Sequence, residues 1–161
     1  MKTLYVMRHG KAEDGFDKTD YKRKLNSKGI KRSVKVGLKL KDRKGELDTI
    51  ICSSSLRTVE TAEIMADFFD FPQADIKKYN ELYLAPVNVI LEYVYSLDDS
   101  VSNVLLVGHN PGLSELIGSL SRQLTDYLPT SALIALKIDI DKWEEISNAN
   151  TKIVFSLFPK T

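Results

Sequence analysis

Cysteine is almost missing from this chain. Cys52 stands alone, so no internal disulfide can form, no cysteine-based zinc site can be built, and a reducing cytoplasm is the expected setting. It lies inside an apolar run and reads as a small core residue rather than a nucleophile. Long apolar runs are missing too, which excludes a membrane span, and the N-terminus lacks the basic-then-apolar pattern of a signal peptide. No charge of one sign dominates: 23 Lys+Arg against 22 Asp+Glu leave a formal charge of +1, which argues against a general attraction to nucleic acid or membranes. Internal repeats, low-complexity segments and linkers are absent. A length of 161 residues with 43% hydrophobic content therefore predicts one domain, 1–161, with a substantial core.

What is present is an alternation. Short β-rich runs at residues 3–7, 49–53, 104–107, 133–138 and 152–158 are separated by helical stretches. The first three runs are nearly continuously apolar, as parallel strands covered on both faces are, and the last two lie close enough to pair antiparallel at an edge. Residues 27–40 carry Ile30, Val34 and Leu38 at helical spacing, which predicts that these three face the core. Residues 56–69 carry Leu56, Val59, Ala62, Ile64, Met65 and Phe68, with Pro72 soon after to keep the helix from continuing. Residues 86–97 and 111–123 read as two further helices. The expected fold is α/β, a three-layer α/β/α arrangement with a mostly parallel central sheet and an antiparallel C-terminal edge.

In such sheets ligands bind beyond the carboxyl ends of the strands. Three ends stand out: Arg8-His9-Gly10, Ser53-Ser54-Ser55-Leu56-Arg57, and Gly108-His109-Asn110-Pro111-Gly112. Both histidines of the chain sit at such ends. Arg57 breaks a local rule, because with Ser54 or Ser55 as cap it falls in the first turn of a helix, where the macrodipole disfavours a cation by roughly 0.3–1 kcal/mol. An anion between the guanidinium and the helix start reverses that penalty; the plain alternative is an ion pair with a nearby carboxylate such as Glu60. Asn110 as cap and Pro111 at the first helical position would open a second set of amides towards the same crevice. Arg8, Arg57, His109 and these amides can then bind a phosphoryl group, which leaves His9 as nucleophile. Two neighbouring guanidinium charges disfavour imidazolium and keep His9 neutral for attack.

"RHG" at 8–10, "SSSLRTVETA" at 53–62 and "GHNPGLSEL" at 108–116 resemble the histidine phosphatase superfamily, also called the phosphoglycerate-mutase-like fold. With "RKLNSKG" at 23–29, "ELY" at 81–83 and "PTSAL" at 129–133, the chain most resembles the SixA-type phosphohistidine phosphatase branch. The resemblance implies that His9 forms a phosphoenzyme while Arg8, Arg57 and His109 hold the phosphoryl group, with Ser53, Asn110 and Asn26 as further candidate substrate contacts. Ser53-Ser54 stands where relatives often have Ser-Pro, and Arg23-Lys24-Leu25-Asn26 where an Arg-Pro-Leu-Thr run is common. Asn26 can cap the first helix in place of the threonine.

A leaving alkoxide needs a general acid, and the resemblance implies a carboxylate between the second arginine and the second histidine, for which Glu81 in "NELY" is the candidate, its other reading being a loop carboxylate paired with Arg8 or Arg57. Phosphohistidine escapes that need, because its imidazole leaves neutral when the other nitrogen is protonated. No metal or other cofactor is required where several positive donors converge, and Asp14, Asp17 and Asp20, spaced acids near lysines, read as a solvated loop rather than a Mg²⁺ site. Residues 18–44 hold nine lysines and three arginines against Asp20 and Asp42, most simply a solvated helix face rather than a nucleic-acid or partner surface. About 50 residues between Arg57 and His109 leave little room for a capping insertion, so a pocket accessible to a protein surface is expected. The expected activity is hydrolysis of protein phosphohistidine. The alternatives are a small-metabolite phosphatase or mutase, and a non-catalytic phosphate- or nucleic-acid-binding module.

Overall fold

The computed structural model describes residues 1–16, 18–123 and 127–159, so Asp17 lies outside the described residues. Its strands are β1 (Lys2–Arg8), β2 (Thr49–Ser53), β3 (Lys77–Tyr79), β4 (Asn103–Gly108), β5 (Leu133–Ile138) and β6 (Thr151–Leu157); its helices are α1 (Ser27–Asp42), α2 (Leu56–Phe68), α3 (Val87–Tyr95) and α4 (Gly112–Ser121). They form one six-stranded sheet in the order β3-β2-β4-β1-β5-β6. The first four strands in that order run parallel, and β5 and β6 close the other edge antiparallel. This is the predicted architecture. The short β3 was not expected; its Lys-Lys-Tyr sequence lacks the apolar run that marks the other parallel strands.

Alternation along β1 divides the core. Leu4 and Val6 join Ile90, Val94, Leu113 and the fully buried Trp143 beneath α3 and α4, whereas Tyr5 and Met7 join Val36, Leu40, Met65 and Cys52 beneath α1 and α2. Burial pushes the Cys52 thiol up to about 12, as befits an inert core residue.

The predicted core face of α1 is displaced. Ile30 and Leu38 are 46% and 49% exposed and Val34 is only half-buried; Gly29, Ser33, Val36, Gly37 and Leu40 face inward instead. Close packing selects the small residues. A Cβ on Gly29 would lie 2.2 Å from the Lys11 carbonyl oxygen, and one on Gly37 would lie 2.4 Å from the Phe68 ring. Leu56, also expected inside, is 40% exposed at the start of α2.

Between β1 and α1 the chain makes a hairpin-like excursion. Ala12 bridges Leu25, the Glu13 amide donates to the Lys24 carbonyl (2.8 Å), and the Asn26 amide donates to the Lys11 carbonyl (3.0 Å). Its far end is a short 3-10 turn, Asp20–Lys22, which lands beside the start of α2.

Candidate active site

The carboxyl ends of β1, β2 and β4 bring Arg8, His9, Arg57 and His109 together, and the two imidazole centroids are 5.1 Å apart. Arg8, His9, Arg57, His109 and Asn110 line a cavity of about 340 Å³ with Lys11, Asp14 and Arg23 also on its wall. Adjacent parallel strands set this geometry: Arg8 sits opposite Gly108 in the register, and the His9 amide donates to the Gly108 carbonyl (3.1 Å).

His9 is held in one tautomer. Its Nδ1 lies 2.7 Å from the Gly10 carbonyl oxygen, which can only accept, so the ring proton belongs on Nδ1 and the lone pair is on Nε2, where it accepts from Arg57 Nε. Thr61 anchors this arrangement by accepting from the Gly10 amide (2.9 Å) while donating to the Arg57 carbonyl (2.8 Å). Arg57 Nε lies 3.4 Å from His9 Nε2. The imidazole pKa is lowered to about 4, and burial is the largest cause; the Gly10 carbonyl opposes the shift, and the Arg57, Arg8 and Arg23 charges reinforce it. The guanidinium effect anticipated from the sequence is thus real but secondary.

His109 is 3% exposed, and burial, followed by the His9 and Arg57 charges, lowers it to about 3. Ser53 Oγ is 2.8 Å from its Nε2, with the Ser55 and Thr58 hydroxyls at 3.5 and 3.4 Å. Ser53 Oγ also accepts from the Ser55 amide (3.3 Å); in the tautomer in which Ser53 donates to Nε2, the ring proton sits on Nδ1. His109 Nδ1 is buried and hydrogen-bonds to nothing among the described residues, and the same is true of Arg8 Nε. The unpartnered Arg8 Nε–H and His109 Nδ1 beside the neutral His9 ring mark a place for an anion's oxygens. Arg8 Nη1 is fixed by the Leu128 carbonyl (3.1 Å).

The other predicted contacts are placed differently. Ser53 is fully buried and serves His109. Asn26 caps α1, accepting from the Gly29 amide (2.8 Å). Asn110 reaches the cavity wall, but its side chain donates to the Leu128 carbonyl (2.8 Å) and accepts from the Ser114 hydroxyl (2.7 Å). It precedes the cap position of α4, which Pro111 occupies, but its side-chain oxygen still accepts from the Ser114 amide (3.2 Å) in the first turn. Ser55 occupies the cap position of α2 without a side-chain capping bond. Glu81 is not brought to the cluster: it is exposed and accepts from the Tyr93 hydroxyl (3.0 Å).

The acid beside Arg57 is Asp20, not Glu60. Arg57 donates through Nη1 to the Asp20 carbonyl (2.7 Å) and through Nη2 to Asp20 Oδ2 (3.0 Å), while Glu60 accepts from the Leu25 amide (2.8 Å). Asp20 thus supplies the anion that an arginine in the first turn of α2 calls for. Tyr83 also donates to Oδ2, and Arg23 donates to Oδ1 (3.0 Å). These bonds, the Tyr83 one foremost, hold the carboxyl at about 2. Asp20, Tyr83 and Thr61 are the site residues that strand-end reasoning missed. Asp20 is far from any strand end in the sequence, and only the 9–26 excursion delivers it. Among the described residues, no group of three or more His, Cys, Asp or Glu side chains is arranged to hold a metal ion.

Comparison with known proteins agrees with this geometry. The model of the histidine phosphatase superfamily (branch 1) matches residues 4–85. The phosphohistidine phosphatase SixA of Escherichia coli (strain K12) is 27% identical over 134 residues, covering 82% of this chain and 82% of that protein. The structure of the protein histidine phosphatase SixA complexed with tungstate gives a TM-score of 0.83 at 25% identity, covering 98% of this chain and 97% of that one. An α-ribazole phosphatase from Shigella flexneri shares the fold at a TM-score of 0.68 and 17% identity, covering 87% and 92% of the two chains. The family match spans just over half of the sequence and includes Arg8, His9 and Arg57, and the SixA likeness runs its whole length: the chain belongs to the histidine phosphatase superfamily and is SixA-like.

Proposed function

We propose that this phosphatase removes the phosphoryl group from phosphohistidine in proteins, through a phosphoenzyme on His9. His9 Nε2 attacks phosphorus, and the P–N bond to the substrate ring breaks. Arg8, Arg57 Nε and the His109 Nδ1 hydrogen hold the equatorial oxygens, and water then releases phosphate from His9. His9 meets the first requirement of this chemistry, a neutral ring with an unprotonated Nε2 that accepts from Arg57 Nε until the phosphoryl oxygens take that donor.

The observation that carries the choice of leaving group is the state of the carboxylates. A general acid for a leaving alkoxide is kept protonated by burial in an apolar setting. Asp14 and Asp20 by the cavity, and Glu81 farther off, are all exposed, and Asp20 is held at about 2. A leaving group that departs neutral without a donated proton suits such a site, and imidazole protonated on its second nitrogen is one. The SixA likeness supports the same class.

The test is a substrate panel on purified protein: a phosphohistidine peptide, a phosphoserine peptide, sugar phosphates and p-nitrophenyl phosphate. The phosphohistidine peptide is expected to give the highest kcat/KM, with activity retained in EDTA and an acid-labile phosphoenzyme trapped by rapid quench that His9→Ala abolishes. Efficient hydrolysis of sugar phosphates with negligible action on the phosphohistidine peptide overturns the substrate class. Undiminished labelling of the His9 variant overturns the nucleophile.

A further inference from the structure

The Asp20 carboxylate is paired with Arg57 and so neutralises part of the charge that would hold a phosphoryl group. Resting on the phosphohistidine reading, we propose that Asp20 is a specificity-determining residue: its carboxylate accepts the hydrogen on the second nitrogen of the leaving ring while the first nitrogen is bonded to phosphorus.

Three observations place it there. Arg57 is the link between nucleophile and carboxylate, with Nε 3.4 Å from His9 Nε2 and Nη2 3.0 Å from Asp20 Oδ2, so the acid lies one guanidinium width from the reacting centre. Tyr83 spans the same interval on another side. Its ring stands edge-on to His109 with centroids 5.4 Å apart, and its hydroxyl donates to Asp20. A planar ring lying along Tyr83, with one nitrogen on phosphorus beside the histidines, therefore directs its other nitrogen towards Asp20. The third observation is acceptor capacity. A carboxylate offers about four lone-pair sites. Oδ2 takes Arg57 and Tyr83, and Oδ1 takes Arg23, which leaves one site on Oδ1 of a side chain that is 46% exposed.

The chemistry follows without a further reactant. With Asp20 as acceptor, the substrate ring is favoured in its N–H form at the far nitrogen. Attack by His9 forms the new P–N bond, the old P–N pair stays with the ring nitrogen, and the ring keeps its far proton and departs as neutral imidazole. An ester has no hydrogen at that position, so its oxygen gains nothing from Asp20. The groups facing Asp20 are Arg23 from its own segment, Arg57 from α2 and Tyr83 from the segment before α3, with Arg8, His9 and His109 behind them and Asp14 on the same shallow hollow.

The experiment compares wild type, Asp20→Asn and Asp20→Glu on a phosphohistidine peptide and on p-nitrophenyl phosphate. In Asp20→Asn the ratio of the two kcat/KM values is expected to fall by roughly 10- to 100-fold, the range of a lost hydrogen bond to a charged group. The alkaline limb of the phosphohistidine profile moves to lower pH, because a carboxylate beside an N–H cation raises its pKa and an amide does not. Asp20→Glu, which keeps the charge, restores much of the ratio. An equal change on both substrates, with the limb unmoved, overturns the proposal and makes Asp20 a support for Arg57 alone. Absence of phosphohistidine turnover in the wild type defeats the functional reading itself, an outcome distinct from an unchanged ratio in an active enzyme.

Discussion

At the scale of single residues, the site works by fixing where two ring protons reside. Both histidines are neutral, but they face the cavity with opposite capacities. His9 is turned by the Gly10 carbonyl so that Nε2 presents a lone pair, and His109, in the tautomer in which the Ser53 hydroxyl donates to Nε2, presents a hydrogen on Nδ1. In the proposed mechanism one attacks and the other stabilises. Ser53→Ala removes the hydroxyl that favours this His109 tautomer, together with its long bond from the Ser55 amide, a loss of about 1 kcal/mol, or roughly fivefold in kcat/KM. His109→Ala removes the oxyanion donor itself and is expected to lower kcat by about 10²- to 10³-fold. Steady-state kinetics on one substrate measure both. A Ser53→Ala loss as large as that of His109→Ala means that the hydroxyl acts on more than the tautomer.

The secondary-structure elements show why some of this was legible in the chain and some was not. Arg8, His9 and His109 directly follow or end apolar runs and Arg57 opens the helix just after one, and a parallel sheet must bring such ends together, so their convergence could be reasoned from order alone. Asp20 could not, because a loop brings it to Arg57 and no periodicity encodes that approach. On α1 the apolar spacing of Ile30, Val34 and Leu38 pointed to the wrong face, since packing there is decided by what fits. Gly29 and Gly37 let α1 approach Lys11 and Phe68, and larger residues at those positions would hold it away. Gly29→Ala is therefore expected to destabilise by about 1–3 kcal/mol, as overpacking against backbone does. Ile30→Ala, on a half-exposed side chain, should stay within about 0.5 kcal/mol, as surface changes do. Urea unfolding of the two variants separates the faces. A larger loss for Ile30→Ala would return the core to the stripe that periodicity favours.

Across the whole molecule, the neutrality that suits His9 to the proposed attack carries a consequence for acid stability. In the unfolded chain both histidines titrate near 6.5, whereas in the folded protein they titrate at about 4 and about 3. As pH falls through this interval the unfolded state takes up protons that the folded state refuses, so stability is full above about 6.5 and declines on acidification. Each histidine contributes a limiting slope of about 1.4 kcal/mol per pH unit once the pH is well below 6.5. Asp20 acts in a separate, lower window. Its stabilisation is present above the ordinary value of 3.8 and is lost as pH falls towards about 2. The urea midpoint is accordingly expected to drop between pH 7 and pH 5, before the Asp20 contribution is touched. His9→Gln removes one of the two titrating rings and should roughly halve that drop, since a neutral amide binds no proton in either state. An unchanged drop in both His9→Gln and His109→Gln would mean that the buried rings do not set acid sensitivity, and would weaken the case for a neutral His9 in the resting site.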